Sequence, residues 1–185
     1  MTVSAQLSAQ LSTHLRHKGA AMRDAARRRP TSEDWDETIS AECTADDLTG
    51  VRKLRIRDWR YIGDGGADIG GWNLGPSSPE LLCGVISTCL THTYLCLAAM
   101  RGLPLDQVTV RVVARNNDAG FFEVAGDRPI YPHELTAYVR IDAAELSQAE
   151  IADFIAEGER RCPIAYLVRN PIQLTVRTGE PETDR

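Results

Sequence analysis

Two of the five cysteines occupy positions where a thiol could act as a nucleophile. Cys89 lies near the middle of a long apolar segment, where neighbouring hydroxyl groups could hydrogen-bond a thiolate. Cys162 precedes Pro163 at the predicted start of a helical turn. At such a helix N-terminus, free backbone N–H groups and the helix dipole favour the thiolate form of a cysteine. The hydroxyl-bearing neighbours of Cys89 are Ser87, Thr88 and Thr91.

A thiolate is the reactive form of cysteine, and a second thiol nearby can convert its oxidised product to a disulfide. The alternative for each cysteine is a small buried packing residue. From position alone, a functional role is favoured for Cys89 and Cys162 over the other three. Packing is the preferred interpretation for Cys43, Cys83 and Cys96.

A metal site on the same segment is the rival hypothesis. Cys89, His92 and Cys96 stand at i, i+3 and i+7, so they share one helix face and could begin a zinc site. The spacing supplies three ligands at most, and the two cysteines lie ~10 Å apart along the axis. A metal is therefore the less favoured interpretation of these three residues. His92 is expected to be a hydrogen-bonded helix-face histidine or a base toward Cys89.

The pattern of elements predicts an α+β fold with an antiparallel sheet, because no helix separates each strand pair. The clearest element is a helix over residues 79–101, with a serine cap, Pro79 at its first position and Gly102 as its stop. A second helix starts at the capping box formed by Ser147 and Glu150. Alternating apolar residues predict strands at 38–44, 51–57, 107–115, 121–124, 134–141 and 172–177.

Charge divides the 185 residues into unlike parts. Residues 1–30 hold six basic residues and one acidic residue, although the whole chain has a net charge of −5. This predicts a basic helical extension with an acidic linker at 1–37, a main domain at 38–178 and a polar tail at 179–185. The acidic body argues against a nucleic-acid partner.

Compartment and membrane contact are constrained by the cysteines and by one apolar run. The odd number of cysteines and the absence of an apolar leader predict a reducing cytoplasm. Residues 81–100 carry no formal charge and have the length of a membrane span. Their middle is polar and lacks flanking basic clusters, so a buried central helix is expected instead of an integral membrane segment.

The sequence resembles the OsmC/Ohr family in two motifs. One is Gly75-Pro76-Ser77-Ser78-Pro79-Glu80-Leu81-Leu82, followed by Cys89 and by a helix that ends at Arg101-Gly102-Leu103. The other is Cys162-Pro163-Ile164-Ala165, after a helix. The resemblance covers about residues 38–177. It implies an intertwined homodimer in which two long central helices are wrapped by antiparallel sheets.

The resemblance also implies an activity. Members of this family include cytoplasmic, thiol-dependent peroxidases that reduce organic hydroperoxides and defend against oxidative stress. Cys89 would be the peroxidatic thiol and Cys162 the resolving thiol, with an external dithiol as reductant and no metal or organic cofactor. The alternative function is a non-enzymatic dimer that binds an apolar or lipid-like ligand in an interface cleft.

Two further residues are implied by the resemblance. In hydroperoxidases of the family, an arginine holds the reactive thiolate and a glutamate near the start of the central helix fixes that arginine. Glu80 occupies that neighbourhood, but an ungapped match leaves it one residue too close to the cysteine, so a role as N-terminal dipole partner stays open. Arg52 is the preferred arginine over Arg55 and Arg57, with a solvated strand charge as its alternative.

Overall fold

The computed structural model describes residues 3–124 and 126–179, and they form an α+β fold with two antiparallel sheets. The predicted polar tail beyond Gly179 and the first two residues lie outside this described part. In chain order the helices and strands are α1 (Val3–Arg28), β1 (Glu42–Ala45), β2 (Arg52–Ile56), β3 (Trp59–Gly63), α2 (Ser78–Arg101), β4 (Gln107–Arg115), β5 (His133–Asp142), α3 (Gln148–Arg161) and α4 (Pro163–Arg169).

The central element is α2, and local sequence signals set both of its ends. Ser77 caps the N-terminus in a capping box with Glu80, and Gly102 ends the helix in the left-handed region at φ 67°. The core cluster is built around the middle and end of α2, whose buried residues include Leu90, Tyr94 and Leu97. By length and composition alone α2 could cross a membrane, as the core helix of a globular protein also could.

One sheet covers α2 and consists of β4 and β5 alone. Successive residues of β4 alternate between partly buried and exposed, so Val108, Val110 and Val112 face the core cluster. The strands are antiparallel, with a register shift between Val113 and Arg115. On other sides, α3 and α4 pack against α2, and Arg101 at the end of α2 pairs with Glu157 of α3.

The other sheet contains β1, β2 and β3 in sequence order. A two-residue turn joins β2 to β3, with Arg57 at φ 54°. Within the described residues, no helix packs extensively on this sheet. Its apolar side chains stay exposed, with Trp59 62% and Tyr61 48% accessible.

The basic N-terminal helix docks on the body. In α1, Leu15 is buried, and Leu11 and Met22 pack against the core cluster. Gly19 approaches α2 so closely that a Cβ there would lie 2.4 Å from the carbonyl oxygen of Ala99. The lack of a side chain at Gly19 therefore permits the contact between the two helices.

Three details differ from the sequence-based expectation. Residues 121–124 form a turn and not a strand, because the Asn117 side chain accepts the N–H of Ala119 and starts a short 3-10 turn. Residues 172–177 alternate in polarity but pair with no strand in the described part of the chain, and Leu174 is 84% exposed. Strand β3 was not predicted, because Ile62 follows Tyr61 directly and breaks the alternation, and Gly63 is unfavourable in a strand.

Candidate functional site

The two predicted reactive cysteines meet in the fold. Cys162 Sγ lies 3.4 Å from Cys89 Sγ, although 73 positions separate them in the chain. Cys89 is partly buried on α2, and Cys162 has an exposed fraction of 0% at the junction of α3 and α4. Both are free thiols. The distance is a non-bonded contact, and a disulfide would bring the sulfurs to about 2.05 Å.

Backbone hydrogen bonds fix the position of Cys162 between two helices. Its N–H donates to the carbonyl of Gly158 and ends α3, and its own carbonyl accepts the N–H of Tyr166 in α4. Its sulfur accepts the N–H of Ala165 at 3.4 Å, so the thiol is the N-cap of α4. Pro163 suits the first helical position, where no N–H is needed. The thiol therefore sits at a helix N-terminus, as its motif predicted.

The surroundings of Cys89 favour the neutral thiol. Burial raises the pKa of Cys89, and the neighbouring Cys162 thiol raises it further. Two neighbouring groups act in the other direction and lower the pKa of Cys89: the backbone N–H of Ile164 and the Thr93 hydroxyl. Among the described residues, no cationic side chain lowers the pKa of Cys89. The resemblance implied an arginine that holds the Cys89 thiolate, and no described residue of the same chain supplies that positive charge.

The hydroxyl groups that were predicted to hydrogen-bond the Cys89 sulfur donate to backbone carbonyl groups instead. Ser87 and Thr88 both donate to the backbone carbonyl of Gly84, and Thr91 donates to that of Ser87. Thr93 is the hydroxyl that matters, since it donates to the Cys89 carbonyl at 2.9 Å and lies within reach of the sulfur. Its position one turn after Cys89 is a signal that could have identified it.

The sequence did not predict the buried ring of Tyr94 near the thiol pair, which we call the Tyr94 wall. Tyr94 is 1% exposed, and its hydroxyl donates to the Ile155 carbonyl of α3 at 3.3 Å. Its ring lies so close to Gly158 that a Cβ there would be 2.1 Å from a ring carbon. A glycine inside a helix often marks a close approach of this kind, so Gly158 carried the signal. This contact sets the distance between α3 and α2 just before Cys162.

Glu80 lies at the start of α2 and takes part in its capping box. Its carboxylate accepts the Ser77 N–H at 2.7 Å and the Ser77 hydroxyl at 2.8 Å. These hydrogen bonds lower the pKa of Glu80. Nine residues of helix separate it from Cys89, or about 13 Å along the axis. The arrangement is that of an N-terminal cap, and the catalytic role implied by the resemblance stays a prediction.

Arg52 lies on β2, beside the buried carboxylate of Asp64. Hydrogen bonds from the backbone N–H groups of Leu74 and Gly65 lower the pKa of Asp64, and the charge of Arg52 adds to this effect. Asp64 is 3% exposed and holds the glycine-rich loop that precedes α2. Arg52 is therefore placed next to this loop, and in the described chain it does not contact either thiol of the site.

The rival zinc site is not assembled. Among the described residues, no group of three or more histidine, cysteine or acidic side chains is arranged to hold a metal ion. His92 contacts Cys96 instead of Cys89, with 3.3 Å between Nε2 and Sγ. The suggested role of His92 as a base toward Cys89 is therefore not supported.

Comparison with known proteins agrees with the motifs. The sequence model of the OsmC-like protein family matches residues 70–177 of this chain. No curated protein matches the sequence at a significant level. The matched residues make up more than half of the chain, and they include both cysteines and the elements that carry them.

Solved structures with the same fold have low sequence identity. An OsmC-like protein from Mycoplasma pneumoniae is 14% identical, with a TM-score of 0.63 over 74% of this chain and 90% of that one. The organic hydroperoxide resistance protein OsmC from Legionella pneumophila is 14% identical, with a TM-score of 0.53 over 72% and 90% of the two chains. An organic hydroperoxide resistance protein from Elizabethkingia anophelis is 16% identical, with a TM-score of 0.54 over 75% and 92%. With its paired thiols on the central helix and at the Cys-Pro turn, and with this family match, the chain belongs to the OsmC-like protein family.

Proposed function

We propose that this protein is a thiol-dependent peroxidase that reduces organic hydroperoxides. The observation that carries the proposal is the 3.4 Å contact between the sulfurs of Cys89 and Cys162. Two free thiols this close can form a disulfide after a small movement, since a disulfide needs about 2.05 Å between the sulfurs. Two of the structures with the same fold are named organic hydroperoxide resistance proteins, which supports this substrate class.

The reaction proceeds in three balanced steps. The Cys89 thiolate attacks the terminal oxygen of the hydroperoxide, the O–O bond breaks, the alkoxide takes a proton and leaves as the alcohol, and Cys89 becomes a sulfenic acid. The Cys162 thiol then attacks the sulfenyl sulfur, and water leaves as the disulfide forms. An external dithiol exchanges with this disulfide, which restores both thiols and oxidises the dithiol. No metal or organic cofactor enters these steps.

The first step requires a thiolate, so the raised pKa of Cys89 must be offset. The Ile164 N–H and the Thr93 hydroxyl supply part of the stabilisation. A positive charge beside the sulfur would supply the rest, because an opposite charge within ~4–6 Å lowers the pKa of a thiol. Within this proposal the cation is an arginine brought to the site by a second chain.

A homodimer would supply that charge. The sheet of β1, β2 and β3 exposes Ile56, Trp59 and Tyr61, and no helix of its own chain packs extensively on it within the described residues. The same sheet carries Arg52, so its packing over the helices of a partner would bring an arginine toward the partner's thiol pair. Burial of this apolar face stabilises the association. Arg52 is the arginine that we propose for stabilising the thiolate. The proposed compartment is the cytoplasm.

The test is consumption of cumene hydroperoxide in the presence of a dithiol. Wild-type protein is expected to turn over repeatedly, and Cys89→Ser is expected to abolish consumption. Cys162→Ser is expected to allow one turnover followed by overoxidation of Cys89, seen as a mass increase of a sulfinic acid. Cys83→Ser is the matched control, because it removes a partly buried thiol of α2 without touching the pair.

The opposite result would favour the alternative function. If wild-type protein consumes no hydroperoxide with any dithiol, the peroxidase proposal is wrong. The fold would then serve as a dimer that binds an apolar ligand, with the thiols incidental. An open groove of about 470 Å³ lies on the β1–β3 sheet, and its lining combines apolar side chains with charged ones: Leu54, Tyr61, Ile62, Lys53, Arg55 and Arg60.

A further inference from the structure

Cys162 lies at the bend between α3 and α4, and a side chain at the end of α4 reaches back to the last turn of α3. Arg169 donates from Nη2 to the backbone carbonyl of Glu159 at 3.0 Å. Its Nη1 donates to the carboxylate of the same residue and forms an ion pair with it. One guanidinium therefore holds both the backbone and the side chain of Glu159. We call these two contacts the Arg169 tie.

The tie supplies a hydrogen bond that the backbone cannot make. The last four carbonyl groups of an α-helix receive no N–H from the same helix. The Gly158 carbonyl accepts the N–H of Cys162, four residues later. The donor at the same spacing from Glu159 would be Pro163, which has no N–H. Arg169 satisfies this carbonyl instead, and its charge suits the C-terminal end of α3.

The tie also closes the chain around the bend that carries Cys162. Its two ends are Glu159 and Arg169, ten positions apart, and Cys162 lies between them. Burial raises the pKa of Tyr94, and the charge of Glu159 raises it further, which places the tied carboxylate near the Tyr94 wall. A segment whose ends are joined has fewer conformations than an open one. The tie therefore restricts the positions that the Cys162 sulfur can take.

We propose that Arg169 is a positioning residue for the resolving thiol: it joins α4 to α3 and thereby keeps the Cys162 sulfur within reach of Cys89. This inference rests on the proposed function, because it assigns a residue to the step that forms the disulfide. In that step the sulfurs must approach from 3.4 Å to about 2.05 Å. An arm of chain that is held in place keeps the effective concentration of one thiol at the other high.

The effect of the tie is expected in the geometry of the thiol pair and not in the stability of the fold. The side chains of Arg169 and Glu159 are 42% and 59% exposed. An ion pair this accessible to water contributes little to the free energy of unfolding. Disulfide formation, in contrast, compares two folded states, so it responds to the position of Cys162 directly.

The experiment measures the equilibrium constant for disulfide formation in the full-length protein. The protein is equilibrated at neutral pH with mixtures of oxidised and reduced dithiothreitol, and mass spectrometry after thiol blocking gives the fraction with a Cys89–Cys162 disulfide. Two protein thiols are oxidised in this exchange while one molecule of oxidised dithiothreitol is reduced. We expect Arg169→Gln to lower the equilibrium constant about fivefold.

Arg161→Gln is the matched control. Arg161 lies next to Cys162 in the chain, but it pairs with Glu157 of its own helix at 3.2 Å. The substitution therefore removes a positive charge and an ion pair near the thiol without untying α4 from α3. Its equilibrium constant is expected to equal that of wild-type protein.

The equilibrium needs no peroxide, so it separates this inference from the proposed function. A wild-type protein that forms the disulfide with dithiothreitol but consumes no hydroperoxide would contradict the peroxidase proposal alone. In active protein, Arg169→Gln should also increase the share of Cys89 sulfenic acid that dimedone traps in a single turnover. The inference is overturned if Arg169→Gln keeps the wild-type equilibrium constant, if Arg161→Gln lowers it equally, or if wild-type protein forms no Cys89–Cys162 disulfide.

Discussion

Two sulfur sites lie about two turns apart on α2, and each has what the other lacks. Cys89 has a second thiol at 3.4 Å but no cation or base among its described neighbours. Cys96 has an imidazole at 3.3 Å but no second thiol at its side. A nearby thiol can complete a disulfide, whereas a nearby base can generate a thiolate. The comparison shows that capture of an oxidised sulfur and ionisation of a thiol are separate structural requirements.

The largest expected effect comes from Gly158→Ala, because Gly158 allows α3 to pack closely against Tyr94 of α2. The added Cβ would lie 2.1 Å from a ring carbon of Tyr94, so α3 must move away from α2. We expect the free energy of unfolding to fall by about 2–3 kcal/mol and disulfide formation between Cys89 and Cys162 to slow. Chemical denaturation and thiol titration after one equivalent of hydroperoxide measure these effects.

Gly84→Ala is the matched control for that substitution. A Cβ at Gly84 meets no atom within 4 Å, so the change is expected to stabilise α2 by up to about 1 kcal/mol. Unchanged disulfide formation in Gly158→Ala would show that Tyr94 does not set the separation of the two sulfurs.

Tyr94→Phe tests the Tyr94 wall through the pH dependence of the free energy of unfolding. Burial is the main cause that raises the pKa of Tyr94 from 10.0 to about 12. The folded state therefore holds the phenol proton more tightly, and this stabilising contribution is complete below pH 10 and is lost as the pH rises toward 12. Urea denaturation from pH 7 to 11.5 should show a shallower alkaline loss of stability in the variant.

At neutral pH the free energy of unfolding of the same variant should fall by about 1 kcal/mol, because the partly buried Ile155 carbonyl loses the Tyr94 hydroxyl as a donor. Cys89→Ser protein is the reference for the contribution of the thiol, whose pKa is also raised. Identical alkaline slopes in wild type and Tyr94→Phe would contradict the assignment to Tyr94.

Thr93→Val tests whether the Thr93 hydroxyl lowers the pKa of Cys89. Loss of the hydroxyl removes one of two contacts that lower the pKa of Cys89, so the thiolate fraction at neutral pH should fall. We expect alkylation of Cys89 by iodoacetamide to slow by about threefold, or ~0.7 kcal/mol. Thr91→Val is the control, since that hydroxyl donates to the Ser87 carbonyl. Equal rates in the two variants would rule out a role for the Thr93 hydroxyl.

The smallest expected effect separates the two roles of Glu80. Glu80 and Glu150 form the same capping box with Ser77 and Ser147. Replacement of either by Ala should lower the free energy of unfolding by about 0.5–1 kcal/mol, measured by denaturation. Hydroperoxide consumption should respond equally. A much larger loss of activity in Glu80→Ala would instead indicate that Glu80 fixes the arginine of the site.

The elements that were predicted correctly depend on local signals. The predicted helix at 79–101 is α2, and the strand at 107–115 is β4, because caps and alternation are written in neighbouring residues. Residues 172–177 alternate equally well, but a strand also requires a partner for its backbone hydrogen bonds. The alternation therefore could not decide whether a strand forms.

The site was predicted in part. The two motifs identified Cys89 and Cys162, and the resemblance paired them. The Thr93 hydroxyl, the Ile164 N–H and the Tyr94 wall were missed, since each acts through a contact across helices or along a helix turn. His92 was expected to be a hydrogen-bonded histidine on the helix face or a base toward Cys89, and the structure shows it in contact with Cys96.

The sequence by itself determined the two capped helices and the strand at 107–115, and it singled out Cys89 and Cys162 as candidate reactive thiols. Capping and periodicity are short-range effects, so a few adjacent residues decide them. Only the tertiary structure decided that the Cys89 sulfur meets Cys162, that Tyr94 packs against Gly158 and that Arg52 lies beside Asp64. These contacts depend on how close α3, α4 and the first sheet approach α2, and that distance is set by packing of side chains far apart in the chain.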